Sequence, residues 1–456
     1  MTNSKRPQYL ERAARFICNT RLEDLSNAAR DRGRWVTADC IPVIAAGMAM
    51  EEMRAFVKRH LANAAQGNSW VIGTGQRTNA FDAALLNGTA GTWLELDEGN
   101  LFAKGHPGIQ VVPAAVAVAQ EIGASGADLL LAVTLGYEVS ARISRAANVR
   151  LAVHPHGTYG VIGAAIAVAK LKKLNEAQIG ELLNVAATMG MATSRNTLLE
   201  GSTVRNIYTG HSGYMGQMAV RLVESGFTGE PDGVGSVYGG GVLSETFDPE
   251  RMVADLGKEW LITKSYFKLY CTGRYAHSAI DALHDAQSKA PGRRIDASRI
   301  ERIDVDAYGL CAYLGGKDIT TSFGARFSVP FALATILHHG KSGLSAFDDQ
   351  AVGNPAVQDL VSRVFVTENP AYSKAFPEKQ IVDMKVRLDD GSTLRGRCDV
   401  TKGEAANPHT PEELRAKFFE LGTPAWGAAV TQKLYDGLMK LETLGNFRTF
   451  ADELRL

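Results

Sequence analysis

The first half of the chain places apolar residues at helical spacing, and this pattern predicts closely packed helices. Residues 126–147 keep their apolar side chains on one stripe, with Glu138 and two arginines off it. Residues 69–96 and 160–174 are rich in Ala and Gly, which allows neighbouring helices to approach closely. We therefore predict helices over these three stretches, buried together in a bundle.

A glycine-rich segment follows at residues 226–250. Its glycines superficially resemble a dinucleotide-binding loop, but that motif needs a strand before it and a helix that opens on its last glycine. The pattern predicts neither here. The segment is interpreted as a surface loop, not as a nucleotide site.

The pattern changes in the later part of the chain, where apolar and polar residues begin to alternate. Residues 299–310 alternate as a strand does, and residues 380–400 form two such runs around Asp389-Asp390-Gly391, which predicts a hairpin. Residues 327–340 and 355–366 return to helical spacing. This mixture is typical of an α+β domain.

Capping signals mark where some helices begin. Asn175 is an N-cap candidate followed by Glu176, and Thr410 is followed by Pro411 and two glutamates. The chain is then helical to its end. The prediction is a mainly α fold in which an α+β domain, residues 266–404, interrupts an all-helical domain made of residues 1–265 and 405–456.

Composition excludes several classes of function. The chain has 456 residues with 49 basic and 49 acidic side chains, so its net charge does not favour nucleic acid or a membrane surface. No apolar run is long enough to cross a bilayer. The five cysteines are scattered without a CxxC pair, which argues against zinc and iron–sulfur sites and fits a reducing cytosol. We expect a cytoplasmic protein.

Four places along the chain carry candidate chemistry, and the first is residues 95–108. This stretch gathers three carboxylates, a lysine and a histidine close to two glycines. Asp97 and His106 are candidates for an acid–base pair, in which the carboxylate orients and charges the imidazole. The alternative is a solvated loop between helices.

The next two places combine histidines, an arginine and glycines. His154 and His156 precede a predicted helix, where an anionic substrate can bind free N–H groups. The alternatives are a pair of metal ligands and a plain capping loop.

Arg205 precedes glycines at every third position from residue 210 to residue 216. Glycines leave that face of the helix without side chains, so something must approach it closely. The candidates are another helix and a substrate whose carboxylate is held by Arg205.

The fourth place contains Lys268, Arg274 and His277. His277 shares a helix face with Asp281 and His284, so a metal site is conceivable. Ordinary helix-surface pairing is the preferred interpretation for Asp281 and His284. His277 follows a turn and is better placed to point into a cleft.

These stretches, taken in order, resemble the MmgE/PrpD family, which includes 2-methylcitrate dehydratase, cis-aconitate decarboxylase and iminodisuccinate epimerase. The matching stretches are LELDEGNLFAKGHPG, HPHGTYGVIGAA, TVRNIYTGHSG and FKLYCTGRYAHSAIDA, and the later NPHTPEEL is similar to the family's closing helix. The resemblance covers nearly the whole chain.

The resemblance implies a helical domain built from both chain ends, a smaller α+β lid domain, a cleft between them and a homodimer. It also implies catalysis without a metal or an organic cofactor. The family's acidic loop residue falls on Asp97 and the histidine after it on His106. Its second histidine falls on His154, its basic residue on Arg205 and its lid histidine on His277.

Three positions depart from the family pattern. Glu98 stands where a second aspartate is common, Arg205 where the decarboxylases have lysine, and Phe331 where they have tyrosine. Arginine stays protonated and binds carboxylates well but shuttles protons poorly, and phenylalanine cannot donate a proton. The departures at Arg205 and Phe331 argue against decarboxylation.

The expected function is therefore a cofactor-independent lyase that dehydrates a citrate-like hydroxy di- or tricarboxylate. Proton abstraction next to a carboxylate needs cationic partners and paired acid–base groups. The expected catalytic residues are Asp97, His106, His154 and His277, with His277 or His106 as the base. The expected substrate-binding residues are His156, Arg205, Lys268 and Arg274. The alternatives are an epimerase of a dicarboxylate, a cis-aconitate-type decarboxylase, and a non-catalytic helical scaffold.

Overall fold

The computed structural model describes residues 6–340 and 343–456, and helices make up most of it. Before residue 254 the helices are α1 (Gln8–Asn19), α2 (Asn27–Met48), α3 (Glu51–Leu61), α4 (Ala80–Gly91), α5 (Pro107–Ile122), α6 (Gly126–Ala146), α7 (Tyr159–Leu171), α8 (Glu176–Ala187), α9 (Asn196–Leu199), α10 (Ile207–Glu224), α11 (Gly233–Gly239) and α12 (Pro249–Val253).

The later helices are shorter, apart from one near the chain end. They are α13 (His277–Ser288), α14 (Gly309–Ala312), α15 (Ser322–Ala325), α16 (Val329–His339), α17 (Asp349–Val352), α18 (Pro355–Ser362), α19 (Pro370–Lys374), α20 (Pro411–Leu438) and α21 (Phe447–Leu454). The mainly α fold class predicted from the sequence is confirmed.

Side-chain caps explain where several helices begin. The Asn175 side chain accepts from the Gln178 N–H at the start of α8, and Thr410 accepts from Glu413 N–H at the start of α20. Each cap satisfies an N–H group that has no partner inside the helix. Both caps had been predicted from the sequence.

The strands form one sheet of four and two short pairs. They are β1 (Ser69–Val71), β2 (Gln76–Thr78), β3 (Ala147–Val149), β4 (Ser244–Phe247), β5 (Ile300–Ala307), β6 (Val364–Glu368), β7 (Val382–Leu388) and β8 (Thr393–Cys398). The larger sheet has the order β6-β5-β7-β8. Strand β5 runs parallel to β6 and antiparallel to β7, and β7 and β8 form the predicted hairpin.

Helix α13 covers one face of this sheet by packing across β7 and β8. Gly396 in β8 permits the close approach, because a Cβ there would lie 1.8 Å from the Ala282 carbonyl oxygen. The sheet thereby holds α13, which begins at His277, against the rest of the molecule.

The end of the chain packs against one of the first helices. Helix α20 packs on α2, and the Lys417 ammonium lies 2.5 Å from Asp39 Oδ1. The same ammonium donates to the Leu96 carbonyl oxygen at 2.6 Å. A side chain from near the C-terminus therefore fixes the acidic loop that follows α4. The exact domain boundaries stay predictions.

Three local predictions were wrong. The helix predicted over residues 69–96 is a hairpin, β1–β2, followed by α4, because Gly73 and Gly75 adopt positive φ angles and form a turn. The helix predicted over residues 355–366 ends at Ser362, and the β-branched residues after it pair with β5 as β6. The loop predicted at residues 226–250 contains α11 and β4.

Among the described residues, none of the helices has the combination of length and apolar content that crossing a membrane requires.

Candidate active site

The acidic loop between α4 and α5 is buried, not solvated. Glu95, Asp97 and Glu98 are each at most 1% exposed. Apolar neighbours surround the acids in the sequence: Trp93, Leu94 and Leu96 are buried as well. Carboxylates at such depth need charged or hydrogen-bonding partners, because an isolated buried charge is very costly.

His106 receives its orientation from this loop. Its Nδ1 lies 2.8 Å from Asp97 Oδ2 and 2.6 Å from the Glu98 carbonyl oxygen. Since both partners are acceptors, Nδ1 carries the ring proton and Nε2 is left as the basic nitrogen. The predicted Asp97–His106 pair is thus formed, with Asp97 behind the imidazole.

Glu95 joins two cations that the sequence places far from it. Its carboxylate lies 2.6 Å from Arg205 Nη1 and 3.2 Å from Lys268 Nζ, and its own φ is +54°. Such a conformation costs a non-glycine residue on the order of 1 kcal/mol. Burial raises the pKa of Glu95, but Arg205 and Lys268 outweigh burial, so that the pKa falls below its usual value.

Asp97 is also kept ionised. Burial acts to raise its pKa, but His106 and Lys268 together lower it well below the usual range. Lys268 Nζ lies 3.5 Å from Asp97 Oδ1. Lys268 is therefore the counter-ion shared by two carboxylates.

Glu98 differs from Glu95 and Asp97 because no cation among the described residues pairs with it. Its carboxyl group accepts from the Gly108 N–H at 2.6 Å and contacts the Tyr137 hydroxyl at 3.1 Å. Burial, reinforced by Asp97, raises the pKa of Glu98 to about 8. At neutral pH this carboxyl group is mostly protonated, and it holds the first turn of α5 next to His106.

Three imidazoles lie side by side at the centre of the site. The ring centroids of His106 and His156 are 5.0 Å apart, and those of His154 and His156 are 4.6 Å apart. His156 is completely buried, and neither of its ring nitrogens has a hydrogen-bond partner among the described residues. Burial, followed by the positive charge of Arg205, lowers the pKa of both His154 and His156, which are neutral.

His154 and Arg205 form a contact that lacks an acceptor. The His156 main-chain N–H points to His154 Nδ1 at 3.1 Å, and Arg205 Nε–H points to His154 Nε2 at 3.2 Å. A neutral imidazole has only one acceptor nitrogen, so when Nδ1 accepts from the His156 N–H, Nε2 carries the ring proton and faces the Arg205 Nε–H donor to donor. A carboxylate oxygen bound by both side chains would accept from the Arg205 Nε–H and from the His154 Nε2–H.

A second charged cluster comes from the later half of the chain. Arg274 donates to Glu404 Oε1 from Nε at 3.0 Å and from Nη2 at 2.7 Å. Its Nη1 lies 3.2 Å from His277 Nδ1, while His277 Nε2 donates to the Thr272 carbonyl oxygen at 3.1 Å. Both ring nitrogens of His277 are therefore engaged, one with the Thr272 carbonyl oxygen and the other with Arg274.

One cavity joins the two clusters, and only part of the predicted set lines it. The predicted residues on its wall are His106, His154, His156, Arg205 and Arg274. The predicted residues that lie behind the wall are Asp97, Lys268 and His277. The structure thus brings the predicted residues together but separates those that can touch a substrate from those that hold them.

Sequence reasoning missed several residues of the site. Glu95 and Arg195 line the cavity, as do Tyr266 and Tyr275, while Glu404 neutralises Arg274. Glu95 was detectable, because it is an acid set among large apolar residues. No sequence signal connected Glu404 to Arg274, since 130 positions separate them.

The glycines of α10 serve helix packing, which decides between the two interpretations of that face. Helix α10 packs on α4 and α7. A Cβ on Gly210 would lie 2.3 Å from the Leu85 carbonyl oxygen, and one on Gly216 would lie 2.6 Å from the Ala164 side chain. The glycine face is therefore buried against helices, while Arg205, just before α10, reaches the cavity.

Phe331 does not contribute a polar group to the site. It is fully buried in α16, packs at 5.9 Å from the ring of Phe347 and is absent from the cavity wall.

The histidines also raise the question of a metal ion. Asp97, His106 and His156 each offer a ligand atom, and these atoms lie within 4.8 Å of one another. However, Lys268 and Arg205 already bring positive charge to this place, and Asp97 is paired with His106. The electrostatics favour an anion over a divalent cation.

Family models and known proteins match most of this chain. The family model described as the MmgE/PrpD N-terminal domain matches residues 11–249, and that of the MmgE/PrpD C-terminal domain matches residues 270–439. A cis-aconitate decarboxylase of Aspergillus terreus is 22% identical, over 94% of this chain and 92% of its own. The cis-aconitate decarboxylase of Mus musculus is 25% identical, over 79% and 76%, and that of Homo sapiens is 24% identical, over 74% and 71%.

Proposed function

Because this chain belongs to the MmgE/PrpD family, we propose that it removes water from a small hydroxy di- or tricarboxylate of the citrate or 2-methylcitrate type. A lyase-type reaction follows from the family and its relatives. The substrate and the leaving group are the parts proposed here. The observation that carries them is the Asp97–His106 pair beside the unpartnered His156.

The substrate carboxylate would bind between Arg205 and His154, where two donors lack an acceptor. His106 Nε2 is then the base that takes a proton from the carbon next to that carboxylate. Asp97 stabilises the imidazolium that forms, and Arg205 stabilises the negative charge that develops on the substrate.

His156 would complete the reaction by relaying the proton. Its two free nitrogens allow it to accept from the His106 imidazolium on one side and to donate to the departing hydroxide on the other. The proton removed from carbon then leaves as part of water, and both imidazoles return to neutrality. His277, predicted to be catalytic, would act through Arg274, because both of its nitrogens are engaged.

Decarboxylation is the second candidate, and the names of the relatives favour it. Loss of CO₂ consumes a proton at carbon and needs no base, whereas the Asp97–His106 pair is arranged for proton removal. The family resemblance places a lysine in the decarboxylases where this chain has Arg205 and a tyrosine where it has Phe331. Phe331 offers no proton, and Arg205 remains a cation.

The direct test is incubation of the purified protein with 2-methylcitrate, citrate and cis-aconitate in deuterated water, followed by NMR. Loss of water from a hydroxy acid is the expected result. Loss of CO₂ from cis-aconitate would replace the proposal by the second candidate, and deuterium exchange without elimination would replace it by an epimerase. Silence with every acid would overturn it.

Variants assign the base. His106→Gln is expected to lower kcat on the order of 10²–10⁴-fold, since an acid–base group is lost. His284→Gln is the matched control, because His284 lies on α13 away from the cavity wall. Equal activity of the two variants would contradict the role of His106.

Assembly and cofactor requirement are proposals from the same family likeness. We propose a homodimer that uses neither a metal nor an organic cofactor in a cytoplasmic setting, and the five free cysteines are compatible with that compartment. Light scattering should give twice the chain mass. Turnover should survive exhaustive chelation, and its loss would overturn the metal-free mechanism.

A further inference from the structure

Arg195 is a basic residue on the cavity wall to which sequence reasoning gave no role. Backbone pairing sets its position: the His154 N–H donates to the Thr193 carbonyl oxygen and the Arg195 N–H to the Ala152 carbonyl oxygen, both at 2.8 Å. This short antiparallel ladder, which includes the bridge from Val153 to Ser194, places Arg195 next to the segment that carries His154.

The basic groups of the cavity wall differ in what neutralises them. Arg205 is paired with Glu95 and Arg274 with Glu404. By contrast, no carboxylate lies within 4.0 Å of the Arg195 guanidinium in the part of the chain that the structure describes. Lys104, on the same wall, also has no carboxylate partner among the described residues, but its ammonium donates to the Ala147 carbonyl oxygen at 2.8 Å, whereas the Nε of Arg195 has no partner there.

The hydrogen bonds of Arg195 are also incomplete. One nitrogen, Nη2, donates to the Val153 carbonyl oxygen at 3.3 Å. Its Nε is buried and has no partner among the described residues. A buried donor without an acceptor is costly, so this N–H group is arranged to meet an acceptor that the chain itself does not supply.

Two further side chains complete a small binding place around Arg195. Tyr275 lies beside the Arg195 guanidinium: burial raises the pKa of the Tyr275 hydroxyl, and the charge of Arg195 together with a hydrogen bond between the two side chains offsets part of that rise. Leu198, one helical turn beyond Arg195, lines the same cavity. A guanidinium, a hydroxyl and an apolar side chain together suit a carboxylate at the end of a short carbon chain.

We propose that Arg195 binds a second carboxylate of the substrate, separate from the one held by Arg205 and His154. Arg195 would thereby select acids with two or more carboxylates against monocarboxylic acids of the same length. This inference rests on the proposed function only in that both place a carboxylate at Arg205. It assigns a specificity-determining residue, not one that moves protons.

The test compares two inert probes, glutarate and pentanoate, which differ in a terminal carboxylate in place of a methyl group. Calorimetry gives the Kd of each for the wild type, Arg195→Gln and Arg195→Lys. The wild type is expected to prefer glutarate roughly tenfold to hundredfold, because a charge-assisted hydrogen bond is gained. Arg195→Gln should lose this preference without a change in pentanoate affinity, and Arg195→Lys should keep part of it.

Arg150→Gln is the matched control, since Arg150 is exposed and its removal lowers the net charge by the same amount. An unchanged preference in Arg195→Gln, or an equal loss in Arg150→Gln, would overturn the proposal. So would a wild type that binds neither probe.

The outcomes separate this inference from the proposed function. Turnover of a hydroxy acid by the wild type, combined with an unchanged probe preference in Arg195→Gln, would leave the dehydratase standing and remove the role of Arg195. A probe preference that depends on Arg195, in a protein that turns over no hydroxy acid, would keep the role of Arg195 and remove the dehydratase. For an identified substrate, Arg195→Gln should raise KM much more than it lowers kcat.

Discussion

Two regions of the molecule are built from the same charged residue types and use them in opposite ways. On the edge of the β7–β8 hairpin, Arg299 pairs with Asp389 and Asp390 at 3.0 and 2.6 Å, and these side chains are 43–57% exposed. In the acidic loop, Glu95 pairs with Arg205 and Lys268 at similar distances, but these side chains are at most 3% exposed.

The difference lies in what remains when one partner is removed. On the hairpin, water solvates the residue left behind, so such pairs contribute little. In the acidic loop, each carboxylate replaces the water that its cation has lost, so no single member can be removed without leaving a buried charge. The buried cluster therefore fixes the positions of Arg205 and Lys268 in the site, whereas the exposed pairs leave their side chains largely in contact with water.

The largest effect is expected for Glu95→Gln. This change removes the carboxylate that Arg205 contacts and leaves Lys268 with Asp97 alone, and breaking a buried pair in this way costs about 3–5 kcal/mol. The measurement is the free energy of unfolding from urea titration. A loss below about 1 kcal/mol would place the buried cluster in the same class as the surface pairs.

A double variant checks the reason for that loss. If uncompensated charge is the cause, Glu95→Leu combined with Arg205→Met should be more stable than Glu95→Gln alone, although inactive. A double variant less stable than the single one would show that the geometry of the loop, not its charge balance, sets the cost.

The next effect concerns Glu98, the carboxyl group of the loop that lacks a cation. Its pKa rises from 4.5 in the unfolded chain to about 8 in the folded protein, so the folded state keeps a proton that the unfolded state releases. The stability due to this group is therefore fully present below pH 4.5 and is lost as the pH rises towards 8.

Glu98→Gln should abolish that dependence, since the amide is neutral throughout and its oxygen can still accept from Gly108. The wild type is expected to lose up to a few kcal/mol relative to the variant between about pH 5 and about pH 9. Urea titrations at several pH values measure this difference. Parallel stability curves would mean that Glu98 is ionised in the folded protein.

The smallest effect is expected on the hairpin. Arg299→Gln should change the free energy of unfolding by less than about 1 kcal/mol, and the change should shrink further in high salt. Because Asp389 and Asp390 are exposed, water solvates their carboxylates once the Arg299 guanidinium is removed. A loss comparable to that of Glu95→Gln would break the distinction between the two regions.

Much of the fold was predictable because its signals are local. The caps at Asn175 and Thr410, the alternation of β5 and the turn at Gly391 each depend on residues a few positions apart. The failures were local as well: at residues 69–78 a glycine turn overrode an Ala- and Gly-rich pattern, and after Ser362 strand pairing overrode helical spacing.

The sequence by itself determined the mainly helical architecture, the order of the motifs and the presence of histidines and arginines suited to a carboxylate. Only the tertiary structure decided which of these residues face the cavity. Lys268 meets Glu95 across 173 positions and Arg274 meets Glu404 across 130, so no local pattern could pair them. The physical reason is that a charge acquires its role from burial and from its partner, and packing between distant segments sets both.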